Sequence, residues 1–124
     1  MTSVADHIPV LETERLRLRA QTRADWPAYE ALVKSERAKY MGNGPKDDVG
    51  AWSAFASELA SWLLDDMGYW TAALKDSDEA VAFVGVMKPS IYPEVELGWM
   101  TTADGEGKGF AFEAANAVLD WAFL

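Results

Sequence analysis

The sequence predicts a mixed α/β (α+β) domain, a sheet with helices packed against it, on three observations. Leu16, Leu18 and Ala20 alternate with Arg15, Arg17 and Arg19, the period of a half-buried strand. Two later segments, starting near Thr22 and Asp48, space their aromatic and aliphatic residues as helices do. A strand-like run from Glu94 to Met100 then leads through Gly105-Glu106-Gly107-Lys108-Gly109 into an alanine-rich, helix-forming segment.

Taken in order, residues 1–10 read as a loose arm stiffened at its end by Pro9. In the first strand, the three arginines form the solvated face of an edge strand; a phosphate-binding face is the alternative. Thr22 caps a helix running to about Ser35, with Asp25 at its positive end and Trp26, Tyr29, Leu32 and Val33 as its apolar stripe. Met41-Gly42-Asn43-Gly44-Pro45 is a loop rich in helix breakers. The second helix, from about Asp48 to Asp66, turns Trp52, Phe55, Leu59, Trp62 and Leu63 inward and stops at Gly68. Tyr69–Leu74 and Val81–Met87 are strands joined by the turn Asp76-Ser77-Asp78-Glu79, and the second, almost wholly apolar, is central. Lys88–Pro93 is a break with two prolines, Glu94–Met100 the last strand, and the final helix reaches Phe123. With no repeat or linker, residues 1–124 form one domain.

Composition supports a domain that buries its own core. Half of the 124 residues are hydrophobic and 12% are aromatic. Without cysteine there is neither a disulfide framework nor a thiolate metal site. No apolar stretch approaches the ~20 residues of a membrane span, and the first residues lack a charged-then-apolar leader pattern. A cytoplasmic location, with no membrane partner, is the expectation. The net charge of −9 is uneven: residues 1–39 carry seven Lys/Arg against six Asp/Glu, residues 40–124 four against fourteen. So acidic a second half would repel nucleic acid and suit a cationic acceptor, although acidic surface also simply maintains solubility.

Strand, glycine loop and helix in that order make a site for a phosphorylated ligand. Glycines let the backbone approach the ligand, and the free N–H groups of the helix start point at its charge. Plain turn chemistry is the alternative. A Walker loop is excluded, because it needs Ser or Thr after Gly-Lys and Gly109 stands there. A dinucleotide fingerprint needs a βαβ unit that is not present. The Asp76-Ser77-Asp78 turn lacks the central Gly and closing Glu of a calcium loop.

Thr13-Glu14-Arg15-Leu16-Arg17-Leu18-Arg19, Glu96-Leu97-Gly98-Trp99-Met100 and Gly107-Lys108-Gly109-Phe110-Ala111-Phe112-Glu113-Ala114 together resemble the GNAT superfamily of acetyltransferases. The branch they resemble most is that of the ribosomal-protein-alanine acetyltransferases, over about residues 11–123. The resemblance implies a GNAT-like mixed, mostly antiparallel sheet flanked by helices. It also implies acetyl-CoA as co-substrate, no metal, and transfer of the acetyl group to a primary amine. The acceptor stays open among a peptide N-terminus, a polyamine, an aminoglycoside and an amino acid. By the same resemblance, N–H groups near Trp99, Met100 and Thr101 grip the pantetheine arm and thioester carbonyl as an oxyanion hole. The pyrophosphate lies on the N–H groups of Gly107, Lys108, Gly109, Phe110 and Ala111. Glu106 departs from the family, which usually has Gln or Arg there, and a carboxylate beside a pyrophosphate is electrostatically unhelpful. The breaker loop and second helix would shape the acceptor pocket.

A primary amine with a pKa near ~10 is only about one part in a thousand neutral at pH 7, so a base helps. Glu96, two residues before the strand's Gly98 as often in the family, is the candidate catalytic base. Glu94, on the same face by period two, is the runner-up. Ordinary strand-surface carboxylates are the alternative for both, and His7 is a bystander. The family's domain continues past the helix that ends at Asp120-Trp121-Ala122-Phe123-Leu124, so its C-terminal strands and usual tyrosine acid are absent from this chain. Three readings follow: part of a longer enzyme, a domain completed by a homodimer partner or second chain, or a degenerate domain. The competing functional class is a non-catalytic CoA-binding or protein-interaction module.

Overall fold

The computed structural model describes residues 3–40, 44–88, 90 and 93–123. Met41, Gly42 and Asn43 of the breaker loop and Pro89, Ile91 and Tyr92 of the proline break lie outside the described residues. The strands are β1 (Leu11–Glu12), β2 (Leu16–Arg19), β3 (Tyr69–Leu74), β4 (Ala80–Met87) and β5 (Glu96–Thr101). The helices are α1 (Trp26–Val33), α2 (Asp48–Asp65) and α3 (Phe110–Ala122). The five strands form one sheet in sequence order, every described pair antiparallel. Both α1 and α2 are inserted between the neighbouring strands β2 and β3.

Alternation along the strands divides the core in two. Leu16, Leu18, Trp70, Ala72, Val84 and Val86 pack with Phe110, Ala114 and Val118 of α3. On the opposite face, Phe83 meets Tyr29, Leu32, Val33, Ala51 and Phe55 of α1 and α2, with Tyr69 and Met100 at the margin. Strand β4, almost wholly buried, lies inside the sheet between β3 and β5, while β3 holds the middle position. Trp62, Trp70 and Trp121 close one end of the first cluster in edge-on contacts.

Several expectations change. Residues 3–10 do not form a loose arm. Val4–His7 is a helical turn, Ile8 is buried, and the Pro9 carbonyl accepts a hydrogen bond from Trp70 Nε1 at 2.7 Å. Strand β2 is not an edge strand, because the unanticipated β1 pairs along its outer side. Its arginines are engaged rather than simply solvated. Arg19 grips the buried Asp25 through both oxygens at 2.8 and 3.0 Å. Asp25 thus serves the β2–α1 corner, accepting from the Thr22 N–H at 2.8 Å and the Thr71 hydroxyl at 3.0 Å. On α2, Ala51, Phe55 and Trp62 face inward, but Trp52 and Leu63 are exposed. Trp52 stands edge-on to Trp26 and carries the Arg23 guanidinium over its ring. The inward stripe is narrower than the hydrophobic pattern, since the sheet offers one line of contact.

Candidate cofactor and active site

The glycine loop links β5 to α3. Its start is tied to β4: the Thr102 N–H reaches the Val81 carbonyl at 3.0 Å, and the Gly105 N–H reaches the Thr102 carbonyl at 3.1 Å. Gly107 and Gly109 then adopt left-handed backbones, with φ of +78° and +79°. A side chain is strained at both positions whatever lies nearby. A Cβ on Gly107 would meet nothing within 4 Å. The first backbone hydrogen bond of α3 runs from the Glu113 N–H to the Gly109 carbonyl at 3.1 Å. The N–H groups of Phe110, Ala111 and Phe112 have no acceptor within their own turn. This open turn and its free N–H groups suit an anionic group such as a diphosphate, and the dipole of α3 favours charge there.

A second set of residues holds this cradle in shape. Glu113, in the first turn of α3, accepts from Arg15 Nε at 2.7 Å, from the Arg15 backbone N–H at 2.9 Å, and from the Thr13 hydroxyl. Arg15 Nη1 continues to the Lys108 carbonyl at 2.9 Å, and the guanidinium stacks on Phe110 at 4.5 Å from the ring centroid. Burial would push the Glu113 carboxyl up, but the hydrogen bonds from Thr13 and Arg15 hold it below the ordinary carboxylate value. The Thr13–Arg15 run therefore fastens the β1–β2 turn to the helix that carries the cradle. The sequence pattern placed Arg15 on a solvated strand face and gave Thr13 only a part in a family likeness, whereas both are bonded to Glu113. Glu113, one helical turn past Gly109, was the available signal for its work.

Strand β5 is the last strand of the described sheet, so one row of its backbone groups faces away from β4. Trp99 is half exposed, and Met100 and Thr101 are partly buried. Leu32, Arg37, Trp99, Met100, Thr101 and Glu106 line a cavity of about 200 Å³ against the start of the glycine loop. The residues the resemblance assigns to pantetheine and pyrophosphate thus adjoin one another. Gly98 has its own requirement: a Cβ there would stand 1.9 Å from the Tyr69 hydroxyl, so only glycine lets that phenol approach the strand.

Glu96 opens β5, exposed and opposite Met87. The five steps from Glu96 to Thr101 span about 17 Å at the usual strand rise, which separates Glu96 from the glycine loop by the length of the strand. Glu94 does not lie on β5: it sits in a bend two residues before the strand begins, so period two does not place it beside Glu96. Lys108 is exposed, its carbonyl rather than its ammonium tied to Arg15. Glu106 is paired with Arg37 at 2.7 Å, a contact with a residue 69 positions away that sequence reading missed. That cation holds the Glu106 carboxyl below its ordinary value.

Glu58 of α2 was also missed. The residue is half-buried, yet Oε1 has neither solvent nor a hydrogen-bond partner, while Oε2 accepts from the Tyr29 hydroxyl at 2.8 Å. Burial pushes its carboxyl up to about 8, against the opposing pull of the Tyr29 hydrogen bond. Burial and the Glu58 charge likewise push the Tyr29 phenol up. No group of three or more metal-ligating side chains occurs among the described residues, and no described helix is long and apolar enough to cross a membrane.

An antiparallel sheet whose last described strand leads through a glycine loop into a helix with free N–H groups is an arrangement that suits a phosphorylated ligand. This chain belongs to the GNAT acetyltransferase domain family, which matches residues 15–124. It is 29% identical over 114 residues to the uncharacterised N-acetyltransferase YnaD of Bacillus subtilis (strain 168), covering 91% of this chain and 65% of that one. The crystal structure of an acetyltransferase from Agrobacterium tumefaciens str. C58 superposes with a TM-score of 0.87 at 40% identity, covering 94% of this chain and 67% of that one. A spermidine N-acetyltransferase from Vibrio cholerae, solved in complex with CoA and spermine, shares the fold at 20% identity and a TM-score of 0.64, with coverage of 90% and 65%. The chain thus spans about two thirds of the length of these relatives.

Proposed function

We propose that this chain carries the cofactor half of an acetyl-CoA-dependent N-acetyltransferase that acts in the cytoplasm on a primary amine. The observation that carries the reading is the cradle: two left-handed glycines and the free N–H groups of α3, set beside the open edge of β5. Acetyl-CoA supplies the thioester. The chain's own part is to hold the diphosphate on Gly107–Ala111, align the arm along Trp99–Thr101, and direct N–H groups at the carbonyl oxygen. Glu96, at the far end of β5, accepts the proton of the incoming ammonium, directly or through one water, so that the neutral amine can attack. The amine nitrogen gains the acyl bond as the carbon–sulfur bond breaks; the thiolate leaves and takes up the proton that the acylated nitrogen sheds. Glu94, outside the strand, is the weaker candidate for the base.

Amine acceptors suit the acidic second half of the chain, and the Vibrio cholerae neighbour, a spermidine N-acetyltransferase, takes one. The test has two arms. Acetyl-CoA is titrated calorimetrically into the wild type and into Gly107→Asp. Asp is among the residues least strained in a left-handed backbone, and it places a carboxylate in the cradle. Saturable binding lost in the variant is the expected result; equal binding by both would remove the cradle from the reading. CoA release is then followed with amines. Glu96→Gln should lower turnover roughly a hundredfold without weakening acetyl-CoA binding. Binding without turnover for any amine would favour a non-catalytic CoA-binding module.

A further inference from the structure

Arg37 lies in the helical turn Glu36–Tyr40 that follows α1, yet its guanidinium ends at the glycine loop. Nη1 donates to Glu106 Oε2 at 2.7 Å and Nη2 to the Thr101 carbonyl at 3.4 Å. Nε is buried and has no acceptor. Arg37 lines the 200 Å³ cavity beside Trp99 and Thr101 and also borders a cleft of about 510 Å³ on its other side.

This arrangement is short of one acceptor. A guanidinium presents five donors in a planar fork suited to phosphate oxygens, and a buried N–H left unpaired is costly. Its present partner holds it weakly: the Glu106 side chain is 66% exposed, and such pairs contribute little. Glu106 is also the residue immediately before Gly107, where the left-handed cradle begins. Phosphate charge arriving there would repel the carboxylate and attract the cation beside it.

We propose that Arg37 is a further diphosphate-binding residue, held at the mouth of the cradle by Glu106 until the diphosphate of acetyl-CoA takes it over. The inference rests on the acetyl-CoA reading above. It gives the unusual Glu106 a use, since the carboxylate keeps the guanidinium extended toward the cradle while no phosphate is there. The exchange also connects the turn Glu36–Tyr40 to cofactor binding, because the diphosphate pulls on Arg37 and Arg37 on the segment that follows α1.

A double-mutant cycle tests it, with calorimetric titration of CoA into wild type, Arg37→Gln, Glu106→Gln and the double variant. Melting temperatures confirm that each is folded. Arg37→Gln should weaken CoA binding roughly tenfold, the effect of losing a charge-assisted hydrogen bond, and should make it less sensitive to salt. The same loss should appear when Glu106 is already Gln. If Arg37 merely neutralises Glu106, Arg37→Gln will have no effect in the Glu106→Gln background, and the inference is overturned. Should Arg37→Gln fail to fold, Arg37→Lys, which keeps the charge but loses the fork, replaces it and should bind CoA more weakly than the wild type in both backgrounds. Wild type that binds no CoA would remove the cofactor reading itself, an outcome separate from binding that ignores Arg37.

Discussion

Two arginine–glutamate pairs flank the same glycine loop, both with a shortest contact of 2.7 Å, and they do different work. On the α3 side, the Glu113 carboxylate also receives a backbone N–H and a hydroxyl, while Arg15 reaches a carbonyl and stacks on Phe110. On the β5 side, Glu106 is mostly exposed, Arg37 reaches one distant carbonyl, and its Nε has no partner. The first pair is a clamp with its groups satisfied. The second keeps a donor in reserve. Equal ion-pair distances therefore say little; what separates structural from functional charge is how many remaining donors and acceptors are met.

The largest effect is expected from breaking the clamp. Glu113→Ala should destabilise the fold by about 2–3 kcal/mol, the scale of hydrogen bonds to a charged group, and should impair CoA binding by loosening the first turn of α3. Thermal unfolding and CoA titration measure the two together. Because the folded pKa of Glu113 lies below its ordinary value, the clamp's contribution is complete above that value and is lost as pH falls through it. Wild type should therefore lose more stability than Glu113→Gln as pH falls below the ordinary value of 4.5.

Glu58 sharpens the contrast, because its sign is opposite. Its carboxyl is pushed from 4.5 up to about 8, so the native state holds a proton that the unfolded chain releases. Stability should decline as pH rises through that interval. Melting curves of Glu58→Gln should lack this decline; a parallel decline in the variant would mean Glu58 is solvated. A smaller loss, about 1 kcal/mol, is expected for Arg15→Lys, which keeps the charge but loses the fork that joins Glu113 to the Lys108 carbonyl. Smallest is Glu106→Gln, whose melting temperature should match the wild type. A clear drop would make the second pair a clamp as well.

Local pattern sufficed for much of this. Period-two and helical spacing located β2, α1, α2, β3 and β4, the apolar run marked β4 as an interior strand, and the alternating glycines marked the loop in which the fold gives Gly107 and Gly109 left-handed backbones. These features depend on near neighbours along the chain, which is what periodicity reports. Glu94 was misplaced because strand ends are set by pairing partners rather than by alternation, and β5 pairs with β4 only from Glu96 onward. Trp52 and Leu63 were misassigned because hydrophobicity does not say how wide a stripe the sheet can cover. The Arg15–Glu113 and Arg37–Glu106 pairs join residues 98 and 69 positions apart, and no spacing rule reaches that far. They exist because the strand register and the docking of α3 bring distant side chains within hydrogen-bonding reach. The raised carboxyl of Glu58 is likewise a property of what surrounds it, decided only when α1, α2 and the sheet close together.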